Sequence, residues 1–267
     1  MTFFLNIACK KKGKILFSNR KINLVLLILF LTVLSVGNTK AASTGDSLKK
    51  LLQKSDQIIV VVSENWDSPN AVMTCLEKKD GKYVKIGEDV NVFLGKSGLG
   101  WGRGLIEFVE KDGPIKREGD KKAPAGVFSL PYVFGLLPPD TLNWLKYTYK
   151  QVSKIDECVD DTTSNYYNKI VNTLETEKSW KSSENMEDPD YKYGIVIDHN
   201  YSVVEKGCGS CIFFHLTGTK PKPTAGCTAM DEKSFLTLLR WLDEKKKTLL
   251  IQLPKMEFDK LRSEFSL

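Results

Sequence analysis

Gln57-Ile58-Ile59-Val60-Val61-Val62-Ser63 is a run of β-branched apolar side chains with no polar residue inside it. A run of this length and composition reads as a strand buried on both faces. Working outward, residues 71–76, 83–86 and 90–94 read as further strands, with Asp80-Gly81 supplying a turn. Residues 98–104 carry four glycines and read as a loop, and 127–130 read as a strand after a Pro124-Ala125-Gly126 turn. Strand character returns at 191–198, 211–214 and 248–253. Helices are fewer. Leu48, Leu51 and Leu52 have helical spacing behind a Ser43 or Thr44 cap, and Phe235, Leu238, Leu239 and Leu242 follow i, i+3, i+4, i+7 from Asp231. Pro254 opens a terminal helix with Phe258, Leu261 and Phe265 on one face. The expected fold is mainly β with peripheral helices, and residues 131–190 read as a long irregular insertion with short helices. The strand order is not given by these patterns.

The N-terminus sets an expectation for the compartment. Residues 1–41 hold seven basic residues and no acidic one, with an apolar run from Leu24 to Val36 and small residues at Ala41 and Ala42. These are the marks of a secretory signal peptide, and the run is short of the roughly 20 residues a spanning helix needs. If the segment is retained, it is the only expected membrane contact. The organisation read from sequence is therefore a signal at 1–41, a short helix and linker at 42–56, a main strand-rich domain at 57–254 and a terminal helix at 255–267. The whole chain has 39 basic and 33 acidic residues, for +6; without the seven basic residues of the leader, 32 face 33, for −1. The basicity belongs to the leader, so it gives no reason to expect nucleic-acid binding. Five cysteines remain beyond it: Cys75, Cys158, Cys208, Cys211 and Cys227. An odd number in an oxidising compartment leaves one thiol unpaired or paired between chains.

One constellation carries chemistry. His215 follows Ile212-Phe213-Phe214, a loop with Gly218, Pro221 and Pro223 comes next, and then Thr224-Ala225-Gly226-Cys227-Thr228 leads toward the Asp231 helix. An imidazole beside a thiol takes its proton, and a helix N-terminus favours the thiolate. Gly226 is expected to let the backbone turn so that its own N–H and that of Cys227 face one spot as an oxyanion hole. His199 is the only other histidine and reads as a structural residue at a strand end.

These residues resemble the signature of the L,D-transpeptidase catalytic domain (YkuD-like) family: a His, a variable loop, then Ser/Thr-His-Gly-Cys. Ala123-Pro124-Ala125-Gly126-Val127-Phe128 is similar to the family's Thr-Pro-x-Gly-x-Phe/Tyr element, approached through Lys116-Arg117-Glu118-Gly119-Asp120. Residues 157–161, 166–168 and 209–213 resemble one branch of it. Two positions depart: Ala225 replaces the family's second His, and Ala229 replaces the Arg two residues after the Cys. The resemblance implies a β-sandwich fold and acyl transfer on peptidoglycan stem peptides. Cys227 would be the nucleophile, His215 the general base and acid, and Gly226 N–H an oxyanion donor. The thioester would pass to an amine, giving a cross-link, or to water, giving L,D-carboxypeptidase action. A homologue that binds cell wall without activity is the alternative. The resemblance implies no metal and no organic cofactor. Arg103, Lys116, Arg117 and Thr224 are candidate substrate-binding residues. The oligomeric state is not legible.

Other motifs lead elsewhere less well. Cys208-Gly-Ser-Cys211 has redox spacing but precedes a strand rather than opening a helix, so a structural disulfide from Cys158 to Cys208 or Cys211 is expected. Gly95-Lys96-Ser97 lacks the first glycine of a phosphate-binding loop, and residues 98–104 fail the dinucleotide fingerprint. Asp160 and Asp161 are expected to anchor the insertion.

Overall fold

The computed structural model describes residues 44–108, 112–219 and 221–265; the leader expected at 1–41 lies outside the described residues. The chain runs α1 (Thr44–Lys54), β1 (Gln57–Ser63), β2 (Asn70–Lys79), β3 (Lys82–Phe93), β4 (Leu99–Trp101) and β5 (Ala123–Ser129). It continues through β6 (Val133–Gly135), β7 (Tyr149–Gln151), β8 (Asp156–Val159), β9 (Ile170–Asn172), β10 (Ser183–Asn185), β11 (Gly194–Val196), β12 (Phe213–Leu216) and β13 (Thr228–Met230). It ends with α2 (Glu232–Trp241), β14 (Leu249–Pro254) and α3 (Lys255–Phe265). Eleven strands pair in the order β4-β5-β14-β1-β2-β3-β13-β12-β11-β6-β7, and β10-β8-β9 form a small second sheet. The fold is mainly β with peripheral helices. Among the described residues no helix is long and apolar enough to cross a membrane.

β1 sits between β14, parallel to it, and β2, antiparallel. That central place explains its unbroken apolar run: Ile58, Ile59, Val60 and Val61 are all buried. Leu48 and Leu52 of α1 and Leu261 of α3 join the same core. α2 starts where Asp231 accepts a hydrogen bond from Ser234 N–H, and buries Phe235, Leu238 and Leu239.

Several expectations are corrected. Residues 83–86 and 90–93 belong to one twelve-residue strand, β3, which ends one residue before Leu94. The glycine-rich stretch is not simply a loop, since β4 pairs parallel with β5 from Leu99↔Ala123 to Trp101↔Ala125. Pro124-Ala125-Gly126 is not a turn either; it lies within β5. The insertion holds β6 to β10 and two 3-10 turns, Pro139–Leu142 and Pro189–Tyr191. Asp161 does tie it together, accepting from Thr163 N and Oγ1 and from Lys181 N.

Alternation along β12 decides what surrounds the site. Phe214 and Leu216 enter the main core, while Phe213 joins a second buried cluster with Phe134, Tyr191, Cys158, Cys211 and Cys227. His215 projects from the same face as Phe213.

Candidate active site

β12 and β13 pair in parallel, with His215 opposite Ala229 and Phe214 opposite Thr228. Cys227 immediately precedes β13, so it falls opposite Phe213, whose N–H donates to its Sγ across 3.3 Å. The register places His215 and Cys227 on one face of neighbouring strands, two residues apart along them. Strand spacing and rise put their Cα atoms roughly 8 Å apart.

The imidazole is held from two sides. Its Nδ1 lies 2.8 Å from Leu216 O. A carbonyl only accepts, so Nδ1 carries the proton and Nε2 keeps its lone pair. Tyr191 stands edge-on to the ring, with centroids 5.5 Å apart and planes at 88°. A cavity of about 230 Å³ opens here, lined by His215, Asp190, Lys222, Thr224 and Ala229 among others.

The thiol is enclosed. Cys227 is 7 % exposed, and its Sγ donates to Cys211 O across 3.4 Å. Burial pushes its pKa well above the usual thiol value, aided by the Glu184 charge and opposed by Phe213 N–H and Lys116. Burial lowers His215 below the ordinary imidazole value, opposed by its bond to Leu216 O and by Asp190 and Asp188. Both shifts favour uncharged forms. The pair therefore rests as neutral thiol and neutral imidazole, not as a preformed ion pair.

The turn before Cys227 differs from expectation. Thr224 Oγ1 donates to Cys227 O at 2.6 Å and accepts Gly226 N–H at 3.1 Å. Gly226 N–H is thus already engaged, whereas Cys227 N–H has no hydrogen-bond partner among the described residues. Gly226 does not adopt a left-handed φ. Its lack of a side chain suits a close approach, since a Cβ there would lie 3.2 Å from Ile212 Cδ1 and from Lys122 O and would push both back by a few tenths of an ångström. The helix dipole is corrected too: β13 intervenes between Cys227 and α2. Three strand residues set the helix end roughly 10 Å along the chain, beyond the reach of a terminal dipole.

A family model described as YkuD, L,D-transpeptidase catalytic domain, matches residues 58–251, more than half of the chain. The chain belongs to this family. No curated protein and no solved structure matches it. Membership supports L,D-transpeptidase-type activity on peptidoglycan, and the two-sheet, mainly β architecture agrees with the YkuD β-sandwich.

Within this L,D-transpeptidase frame the two departures differ in consequence. Ala225 is exposed, so a histidine is missing from the surface of the turn. Ala229 is buried directly across from His215, and its methyl leaves the cavity there open.

The candidate substrate-binding residues are dispersed. Lys116 is buried; its Nζ donates to Arg117 O at 2.7 Å and to Asp120 Oδ1 at 2.6 Å. It supports the thiol turn electrostatically instead of presenting a free cation to solvent. Arg103 pairs with Glu205 at 2.6 Å and lines a different cavity, with Asp198 and Tyr201. Arg117 is exposed, and Thr224 lines the His215 cavity although its hydroxyl serves the turn. His199 is fully enclosed: Nδ1 accepts Arg103 N–H and Nε2 donates to Cys208 O.

Cys158 is bonded to Cys211, which resolves the two pairings left open; Cys75, Cys208 and Cys227 are free. Cys211 precedes β12 rather than beginning it. Sequence reasoning missed Tyr191 and Glu184. Tyr191 OH donates to Glu184 Oε2; the Glu184 charge acts on Cys227 from the insertion, and Tyr191, just after it, is itself affected by the Cys227 charge. Neither carries a local motif that marks it. Among the described residues no group of three or more His, Cys, Asp or Glu is arranged to hold a metal.

Proposed function

We propose that this protein is an exported cysteine acyltransferase acting on peptidoglycan stem peptides. The observation that carries the reading is the β12–β13 register, which puts Cys227 on the same face as a His215 that keeps a free Nε2 lone pair and itself lines an open cavity. Nε2 accepts the thiol proton as Sγ attacks the carbonyl between the third stem residue, commonly diaminopimelate, and D-Ala at position four. Cys227 N–H donates to the oxyanion. The tetrahedral adduct collapses to a thioester, and the leaving amine takes the proton back from Nε2. An amine acceptor then gives a cross-link and regenerates the thiol; water gives the free acid and L,D-carboxypeptidase action. The Cys158–Cys211 disulfide supports an oxidising, exported location such as the periplasm or cell envelope.

Incubation with muropeptides should yield tripeptides or 3–3 cross-links, both lost in Cys227→Ala. Unchanged muropeptides sink the reading. A second reading, a cell-wall-binding homologue without activity, is favoured by one observation: the thiol donates to Cys211 O and is nearly closed to solvent. A carbapenem adduct mass on Cys227 refutes that second reading.

A further inference from the structure

Both backbone groups that touch the Cys227 sulfur belong to the segment just before and at the start of β12: Cys211 O accepts its proton and Phe213 N–H donates to it. That segment is clamped at Cys211. Cys211 is not glycine, yet it sits at φ +54, a left-handed conformation that a side chain adopts only when its surroundings enforce it. The disulfide to Cys158 ties it to β8 in the small sheet. Its N–H donates to Asn168 Oδ1 at 2.9 Å, and Asn168 Nδ2 in turn donates to His199 O and Asn200 O.

We infer that the Cys158–Cys211 disulfide and the Asn168 bond to Cys211 N–H together form a positioning clamp for Cys227, each needed to hold the 211–213 backbone so that Phe213 N–H stays on the sulfur as charge develops there. This rests on the reading of Cys227 as the nucleophile. The two contacts act on different forms of the thiol. The carbonyl of Cys211 holds the proton before transfer, whereas the N–H of Phe213 stabilises the thiolate. Other charged or titratable groups surround the sulfur from separate elements: Glu184 from β10 and Lys116 from the approach to β5 act on its charge, Tyr191 from the turn before β11 responds to it, and His215 lies on the same face of β12. None of these is covalently tied to the 211–213 segment except His215, through the strand itself. Cys158 and Cys211 are thus positioning residues, not catalytic ones.

The test is the pH profile of iodoacetamide modification at Cys227, read by peptide mass. It compares the oxidised protein, the same protein after phosphine reduction, and Cys158→Ser. Loss of the disulfide should move the midpoint upward by about one pH unit and slow modification at neutral pH about tenfold. Reoxidation should restore the original profile. A purely structural bond would lower the melting temperature and leave the midpoint of the folded protein unchanged, which overturns the proposal. If the reduced and Cys158→Ser forms do not fold, Asn168→Ala decides: it keeps the disulfide but frees Cys211 N–H. A shift in the same direction supports the clamp, and an unshifted midpoint refutes it. Oxidised protein with the expected alkylation profile but inert toward muropeptides would refute the acyltransferase reading alone.

Discussion

The Tyr191 hydroxyl donates to Glu184 Oε2 across 2.8 Å, while the ring of Tyr191 meets the imidazole of His215 edge to face, centroids 5.5 Å apart. Burial pushes the Glu184 carboxyl up to about 7, with the charges of Asp160, Glu118 and Asp188 adding to the effect. Ionised Glu184 opposes thiolate formation at Cys227. Glu184→Gln removes that charge, so the thiol becomes more acidic and iodoacetamide modification at mildly alkaline pH should rise a few-fold. A slower or unchanged rate in folded Glu184→Gln contradicts this.

Cys227→Ala should abolish turnover of muropeptides while leaving the melting curve cooperative. His215→Gln should lower turnover by about 10²–10⁴, the usual contribution of a general base. Because burial lowers His215 from its ordinary 6.5, the base stays neutral into mildly acidic solution. The acid limb of kcat/KM should therefore lie below that value, and a limb above it would contradict the assignment.

His199 makes the fold acid-sensitive. Its pKa is lowered from 6.5 to about 3, chiefly by burial and then by Lys116. A depressed folded-state value gives stability that is fully present above about pH 6.5 and lost as pH falls toward 3. The loss is on the order of 4 kcal/mol, because protonation places a charge in a buried site beside Lys116 and also breaks the Nδ1 bond to Arg103 N–H. Urea titrations should find the stability gap between wild type and His199→Gln shrinking across that window. A constant gap would rule the mechanism out.

Ala229 tests the cavity. It is buried opposite His215, so Ala229→Leu adds volume into the space the imidazole faces. Overpacking of this kind costs about 1–3 kcal/mol. Muropeptide turnover should fall sharply in the folded variant. Iodoacetamide modification of Cys227 should change less, since that reagent does not need the cavity. Equal losses in both assays would place Ala229 outside the substrate path.

The elements legible in advance were those whose signal is local. β1 announces itself through five consecutive β-branched residues, and α2 through the spacing of Phe235, Leu238, Leu239 and Leu242. Cys227 and His215 were likewise legible, because a short loop and a recognisable motif carry them. β4 was not. Leu99-Gly100-Trp101 has no strand pattern of its own and becomes a strand only because β5 lies alongside to pair with it. The Pro124-Ala125-Gly126 stretch misleads for the same reason, since its partners are β4 and β14.

The sequence by itself determined the family, the mainly β class and the pair of residues that carries the proposed chemistry. Each of these rests on residue types at short spacings, which chain geometry converts directly into local structure. Tertiary structure alone decided which cysteine Cys158 meets, which peptide groups touch the Cys227 sulfur, and that Glu184 and Lys116 set its charge environment. Those contacts join residues as far apart as Lys116 and Cys227, more than a hundred positions, and contacts of that range are fixed by strand order and register, for which no short stretch of sequence carries a signal.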